Sequence, residues 1–412
     1  MAAGYIEDRW FYKKPDPVTG KRRKTRDHGK GKRWTVRDIP GVKDRSFAAL
    51  EDAKAWLKSA STDSRRGTFI DPRDGEITLQ DYYDQHWWPS VRYPPSTREG
   101  VEGRFRNHIL PHLGMRSLNE IGTDEIKAWV VRAEQDIDPN HVRTCWQHLS
   151  SILQAAVEAK RIGVNLCRGQ STARPPAKPK QKARALERDA MMRVREALAD
   201  RYKVLLDLGV GSGLRQGEAL GASPDDVVGD ELQVVRQVMR INSRLCFGPP
   251  KGNKERTVPL TPMASESIKR HMEAYPTREV ELTWVDPDRP NLPWEKRPRV
   301  MVRLLTTTVK SNAINRTDWN QLSWKPALAS AGLIKRIEES HLYEPSRDLG
   351  FHLTRHTFAS VMLEAGESIV TLAKWLGHED PAFTLRTYTH FMPTAGARGI
   401  DAMDTWLRPP GK

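Results

Sequence analysis

At 412 residues the chain is too long for one ordinary domain and suggests two to four, each able to bury its own core. A formal net charge of +15 and a pI near 9.7 point to a polyanionic partner: nucleic acid first, with an acidic membrane surface or acidic protein still open. Cys145, Cys167 and Cys246 lie far apart without C-x-x-C spacing, which argues against a disulfide framework and a zinc site. Met1 to Trp10 carries acids and aromatics rather than an apolar core, and no stretch approaches the roughly 18 apolar residues of a membrane span. The expectation is a soluble, cytoplasmic protein without membrane attachment.

The first segment, residues 1–66, alternates aromatic and polar residues around Trp10, Phe11 and Tyr12, turns at Asp16 to Gly20, and resumes at Trp34. Phe47, Leu50, Ala53 and Leu57 then recur at helical spacing, so a small sheet plus one helix is expected. Between the strands a basic loop carries Lys21, Arg22, Arg23 and Lys24, with Arg26, Lys30, Lys32 and Arg33 close behind. These cations suffice to follow a phosphate backbone, although a solvated loop that binds nothing specific has the same composition.

Residues 76–168 change to a helical pattern, with starts at Thr78, Ser96, Thr123 and Pro139. Arg104 and Arg106 flank Phe105 here, as a surface lying along DNA requires, or as simple solubility would leave them. Residues 169–184 form a basic, Pro-rich linker carrying Lys178, Lys180 and Lys182, which can lie along phosphates while joining two folded units placed as a clamp. The last unit, 185–412, is expected to be mainly helical with one strand-rich interruption. Glu231 to Met239 and Arg256 to Leu260 form its strands, and the turn Gly248 to Lys254 puts Lys251 at or near a hairpin tip. The fold class is therefore multidomain and mainly α: an α+β first domain, an all-α second, and a third with a small β-sheet.

Chemistry concentrates in that last unit. Gly213-Leu214-Arg215-Gln216-Gly217-Glu218 follows an apolar helix; Arg215 can present two donors to phosphate oxygens, and Glu218 lies on the same face to orient a neighbour. Gly209-x-Gly211-x-Gly213 misses the dinucleotide-binding spacing and is expected to serve a turn. His352 and Arg355 share a helix face, an arrangement that alone would more often be a helix-end cap. Leu376-Gly377-His378 closes another helix, and ten residues later comes Tyr388, a residue type that by itself usually packs. Taken together, one nucleophile, several cations and imidazoles, with no carboxylate cluster to hold a metal, favour phosphoryl transfer through a tyrosine with neither metal nor cofactor.

The ordered series G-L-R-x-G-E, a lysine, H-x-x-R-H, L-G-H and Y-T-H closely resembles the tyrosine recombinase, or phage integrase, family over Leu186 to Pro393. The resemblance implies that Arg215 and Arg355 clamp the scissile phosphate and that Lys251, rather than Lys254, protonates the departing 5′ oxygen. It further implies that His352 assists proton transfer, His378 donates a hydrogen bond to the phosphate, and Tyr388 forms a 3′-phosphotyrosine, with Glu218 in support. It also implies a helical SAM-like core-binding domain at 76–168, an amino-terminal arm-site binding domain at 1–66, and a homotetramer on double-stranded DNA in a bacterial host cell. A host DNA-bending protein and an excisionase are then candidate accessory partners. Thr354 stands where the family often has Leu, and Val280 to Trp319 is longer than a minimal member needs. A type IB topoisomerase and a DNA-binding regulator that has lost turnover are the alternatives. A chromosome-dimer resolvase shares the chemistry but normally lacks an arm-binding domain.

Overall fold

A computed structural model describes residues 4–168, 174–177, 185–345, 347–388 and 403. The chain divides into two compact units, Met1–Val91 with Val101–Pro179, and Arg92–Gly100 with Lys180–Lys412. Lys178, Lys180, Lys182, Thr389, His390 and the tail from Thr394 lie outside the described residues, apart from Met403. Among the described residues no helix is long and apolar enough to cross a membrane.

The first unit opens with strands β1 (Tyr5–Asp8), β2 (Phe11–Pro15), β3 (Arg22–Lys24), β4 (Trp34–Arg37) and β5 (Arg45–Phe47), followed by helix α1 (Leu50–Arg66). Strands β1, β4 and β5 pair in that order, and α1 lays Ala53 and Ala60 against Val36 and Ile39. The basic run expected as a loop is instead strand β3, paired with β2. Arg22 makes that pairing possible: it donates to the carbonyls of Tyr12 and Phe11 at 2.9 and 3.1 Å and to Asp8 at 3.0 Å, so its fork fastens the ribbon.

Helices α2 (Leu79–Tyr82), α3 (Trp88–Ser90), α4 (Pro95–Arg104), α5 (Leu110–Leu113), α6 (Thr123–Asp136) and α7 (Pro139–Glu158) follow along the chain, with π-helical turns at Tyr83–Trp87 and Phe105–Ile109; the first turns of α4 belong to the Arg92–Gly100 segment counted with the second unit. Thr78 caps α2 by accepting from Asp81 N, and Asp138 caps α7 by accepting from Asn140 N. Tyr83 and Phe105 meet at 4.6 Å between ring centroids, and Trp129 donates to His108 O at 2.7 Å.

The second unit contains helices α8 (Arg188–Ala197), α9 (Asp200–Ser212) and α10 (Gln216–Leu220), then strands β6 (Val227–Val228), β7 (Glu231–Val234), β8 (Gln237–Ile241), β9 (Arg244–Gly248) and β10 (Arg256–Pro259). Helix α11 (Pro262–Ala274), strands β11 (Arg278–Trp284) and β12 (Arg299–Leu304), and helices α12 (Arg316–Trp319), α13 (Lys325–Ser330), α14 (His352–Glu364), α15 (Ile369–Leu376) and α16 (Pro381–Tyr388) complete it. The run Glu231 to Met239 is not one strand: it breaks at Val235-Arg236, where Arg236 pairs with Asp226. Strand β7 joins β10 and β6, while β8 turns at Asn242-Ser243, both at positive φ, into an antiparallel hairpin with β9. Lys251 therefore sits not at a hairpin tip but in the loop that carries the chain from one sheet to the other. The long 280–319 interval supplies most of a second strand pair, β11 with β12, which extends the β8–β9 sheet through a parallel β11–β9 contact.

Three glycines of α9 and its end pack more than they turn. Gly209 leaves so little room that an added Cβ would lie 2.4 Å from Thr354 Oγ1, and one on Gly211 would lie 2.8 Å from Thr261 Oγ1. Only Gly213, at φ 65°, serves a turn, as the left-handed C-cap of α9. The departure at Thr354 is thus complementary to Gly209, since α9 and α14 close to contact only where both side chains are small. Gly209→Ala is expected to lower stability by about 1–3 kcal/mol through overpacking. Gly103→Ala, in α4 with no atom within 4 Å of the new methyl, should be neutral or stabilise by up to about 1 kcal/mol. Calorimetric melting of both variants checks the contrast.

Candidate active site

Arg215 stands at the N-cap of α10. Its Nη1 donates to Glu218 Oε1 at 2.9 Å and its Nη2 reaches Gly377 O at 3.4 Å, at the far end of α15. Glu218 is almost fully buried and is shared: Arg256 grips both its oxygens at 2.9 and 2.7 Å and donates through Nε to Trp375 O at 2.6 Å. Burial alone would raise the Glu218 carboxyl, but the Arg256 hydrogen bonds and the charges of Arg256 and Arg215 hold it down to about 2. In the sequence Arg256 shows only strand character, and nothing local marks it as a partner of Glu218.

Arg355 is wholly buried one turn into α14. It donates to Gly213 O at 2.8 Å, to Leu376 O, and to His378 Nε2 at 3.1 Å. Its Nε has no partner among the described residues. Burial, then the charges of Arg215 and Arg256, lower its guanidinium to about 9, against the opposing pull of Glu218 and Tyr388. His378 also bonds Thr384 Oγ1 at 2.7 Å through Nδ1, and burial followed by Arg355 and Arg215 pushes it down to about 3.

Arg215, Lys251 and His352 line one open cleft together with Gln237, Asn315 and Arg316. Lys251 is exposed there, whereas Lys254 turns away to pair with Glu379 at 3.4 Å. His352 opens α14 with its ring edge-on to His356 at 4.6 Å. Desolvation of that ring, then His356, Arg355, Arg215 and Lys251, press it down to about 4.

Tyr388 ends α16 in an apolar pocket with Phe358, Leu363, Leu372 and Leu376, only 1% exposed. Burial lifts its phenol to about 12, while Arg355 and Arg215 pull the other way. Its hydroxyl lies 2.7 Å from Nδ1 of His356, the last residue of H-x-x-R-H, to which the motif by itself assigns no task. The only signal available was its place one turn after His352, on the face that meets the tyrosine helix.

The six residues are thus linked through contacts or charge: Arg355 to His378, Arg215 and Lys251 to His352 across the cleft, and Tyr388 to both arginines. The DNA-contact candidates are scattered by comparison. Lys21, Arg23, Lys24 and Arg26 are exposed, Arg106 is exposed but pairs with Glu102, and Arg104 is half-buried with its Nε enclosed.

A fold of this kind, closed on a tyrosine and a cationic cleft, defines a tyrosine recombinase catalytic unit. Residues 184–394 match the phage integrase family and residues 78–132 match its N-terminal SAM-like domain, so the chain belongs to the phage integrase family, whose members break and rejoin DNA. A tyrosine recombinase XerC-like protein of Caldanaerobacter subterraneus subsp. tengcongensis is 24% identical over 371 residues, 86% of this chain and 89% of that protein. XerD of Lacticaseibacillus casei is 26% identical over 193 residues, 46% of this chain and half of the relative. Among solved structures, the Tn1549 transposon integrase in complex with transposon right end DNA has a TM-score of 0.60 at 16% identity, covering 80% of this chain and 99% of that one. A lambda integrase tetramer bound to a Holliday junction has a TM-score of 0.56 at 16% identity, covering 87% and 92%. Both share the fold.

Acid should destabilise this unit in two stages. His356 and His378 have folded values depressed to about 4 and about 3, so unfolding takes up protons as pH falls below about 6.5. The stability they allow at neutral pH is then lost by on the order of 1 kcal/mol per pH unit each. Glu218, depressed to about 2, adds its loss only below the ordinary carboxylate range. Melting curves from pH 7 to 5 should show a falling midpoint, and His378→Gln should flatten that slope; a midpoint indifferent to pH would mean the imidazoles are not buried in neutral form.

Proposed function

We propose that this chain is a site-specific tyrosine recombinase, an integrase that cleaves and rejoins DNA at attachment sites to move a phage genome or other mobile element. The observation that carries the reading is the group of cations packed around Glu218 and Arg355: Arg215 and Arg256 share Glu218, and burial, followed by the charges of those two arginines, holds the Arg355 guanidinium below its ordinary value against Glu218 and Tyr388. Glu218 is engaged by Arg215 and Arg256, and a phosphodiester would supply further negative charge to the same cations.

In this reading Arg215 and Arg355 clamp the scissile phosphate and His378 donates to it. Tyr388 attacks phosphorus, and Lys251, standing free in the cleft loop, protonates the 5′ oxygen as it leaves, with His352 assisting proton movement. The pentacoordinate phosphate carries more negative charge than the ground state, so the same cations stabilise it preferentially. No metal or cofactor is required. The 3′-phosphotyrosine keeps the bond energy, which lets a strand rejoin a new partner without ATP. The DNA in the Tn1549 and lambda integrase structures, and the tetramer in the latter, support a homotetramer acting on two duplexes, with a host DNA-bending protein and an excisionase as candidate accessories.

Incubation with a nicked suicide duplex carrying the attachment site, in EDTA, is expected to give a covalent complex on a denaturing gel, and Tyr388→Phe none. An adduct retained by that variant would remove Tyr388 as nucleophile. Recombinant joints from two duplexes would separate strand exchange from topoisomerase-like relaxation, and the absence of any adduct would favour a non-catalytic regulator.

Residues 1–66 are proposed as an arm-site domain, residues 76–168 as a core-site clamp, and 169–184 as the linker along the duplex. Strand β3 and its flanks offer Lys21, Arg23, Lys24 and Arg26 to phosphates, while Arg22 is committed to the ribbon. Deleting residues 1–66 should abolish arm-site binding in a gel shift and leave core-site cleavage largely intact. Lys21→Ala and Arg23→Ala should each reduce the salt dependence of arm binding by about one phosphate contact. Unchanged arm binding by the truncated chain would refute the assignment.

A further inference from the structure

We propose that His356 is a catalytic residue of strand cleavage, the base that takes the phenolic proton of Tyr388 as its oxygen attacks phosphorus. The inference rests on the reading of Tyr388 as nucleophile and adds the group that activates it. Its foundation is the 2.7 Å contact between His356 Nδ1 and the Tyr388 hydroxyl, within the range of a direct O–H to N hydrogen bond.

Among the described residues three imidazoles surround the site, and their engagements differ. His378 has both ring nitrogens occupied, one by Arg355 and one by Thr384. His352 faces the cleft with Arg215 and Lys251. His356 is the imidazole bonded to the phenol oxygen itself. Tyr388 is packed among Phe358, Leu372 and Leu376 with 1% of its surface exposed, so bulk water is a poor recipient for its proton. The proton needs an acceptor already in contact.

The charges around the pair keep it idle until DNA arrives. Arg355 on the same helix and the His352 ring one turn earlier face His356, and Tyr388 meets it from α16. Arg355 and Arg215 face Tyr388. Burial, then Arg355, holds His356 near 4, so its lone pair is available at neutral pH; burial holds the phenol near 12, so the proton stays on oxygen. A phosphate seated on Arg355 cancels the charge that depresses His356. Bonding of the phenol oxygen to phosphorus makes its proton strongly acidic at the same moment, so acceptor and donor approach each other along the reaction.

The step balances. The Tyr388 O–H bond breaks and its proton passes to His356 Nδ1, giving imidazolium. The O–P bond forms, the bond from phosphorus to the 5′ oxygen breaks, and the departing oxygen takes a proton from Lys251. Rejoining runs the same transfers backward, with His356 returning the proton to the tyrosine oxygen.

Single-turnover cleavage of the nicked suicide duplex by the full chain, from pH 6 to 9, tests the assignment, with gel shift and melting as controls for binding and folding. His356→Ala should cleave about 10²- to 10⁴-fold more slowly at pH 7 with DNA binding retained. That deficit should shrink by about tenfold per pH unit as hydroxide replaces the missing base, and free imidazole should restore part of the rate. His356→Gln keeps an acceptor for the hydroxyl but cannot take its proton, and should remain slow even if the alanine variant folds poorly. A duplex whose 5′ leaving oxygen is replaced by sulfur, which departs without a proton, should rescue Lys251→Ala and leave His356→Gln slow. Wild-type rate and pH profile in His356→Gln, or its rescue by the sulfur substrate, would overturn the proposal. If His356→Gln is fast while Tyr388→Phe gives no adduct, only the base assignment falls; an adduct from Tyr388→Phe removes the parent reading instead.

Discussion

One buried carboxylate and two helix ends hold together a group of cations that would otherwise drive each other apart. Glu218 accepts from both Arg215 and Arg256, and the carbonyls at the end of α9 (Gly213) and of α15 (Leu376 and Gly377) receive Arg355 and Arg215. The C-terminal end of a helix carries partial negative charge and unsatisfied carbonyls, so two such ends aimed at two guanidiniums satisfy donors on both sides. This requires chain reversals at the helix ends, and both Gly213 and Gly377 adopt the left-handed conformation that permits them. A Cβ on Gly377 would also press on Arg256 at 3.0 Å, so the same glycine that ends α15 makes room for the arginine holding Glu218.

Much of this was legible in the sequence because the motifs are local. G-L-R-x-G-E states the helix end, the arginine that follows it and its carboxylate in six residues, and H-x-x-R places two groups on one helical face. The parts that escaped depend on pairing between distant segments. Strand character was visible at Glu231 to Met239, but the break at Arg236 follows from an ion pair with Asp226 and the register with β10, which periodicity does not encode. The same limit moved Lys251 from a hairpin tip to a loop between sheets. Arg256 and His356 were in view as letters, yet their partners Glu218 and Tyr388 lie 38 and 32 positions away.

The α9–α14 contact shows how a local departure can be absorbed by a neighbour. Thr354 in place of a larger apolar residue is fully buried, returns its hydroxyl to Phe351 O at 2.8 Å, and faces Gly209 with no space to spare. Helix approach, and hence the placing of Arg355 beside Gly213 O, depends on that pair of small residues rather than on either alone. Glycines that suggested a turn in sequence therefore set the distance between the helix that bears Arg355 and the one whose end receives it.

Crowding cations in a desolvated place costs folding free energy, and the depressed guanidinium and imidazole values are the measure of that cost. A site whose sole task was stability would replace these charges with apolar side chains of similar volume. Retaining them is intelligible if an anion regularly enters, because the repulsion it relieves becomes binding energy directed at the reacting phosphate. On the proposed reading the same economy restrains the nucleophile. A phenol held near 12 beside an imidazole held near 4 does not ionise in the empty site, and the phosphate that shifts the imidazole is also the group to be attacked. Activation and substrate binding then become one electrostatic event.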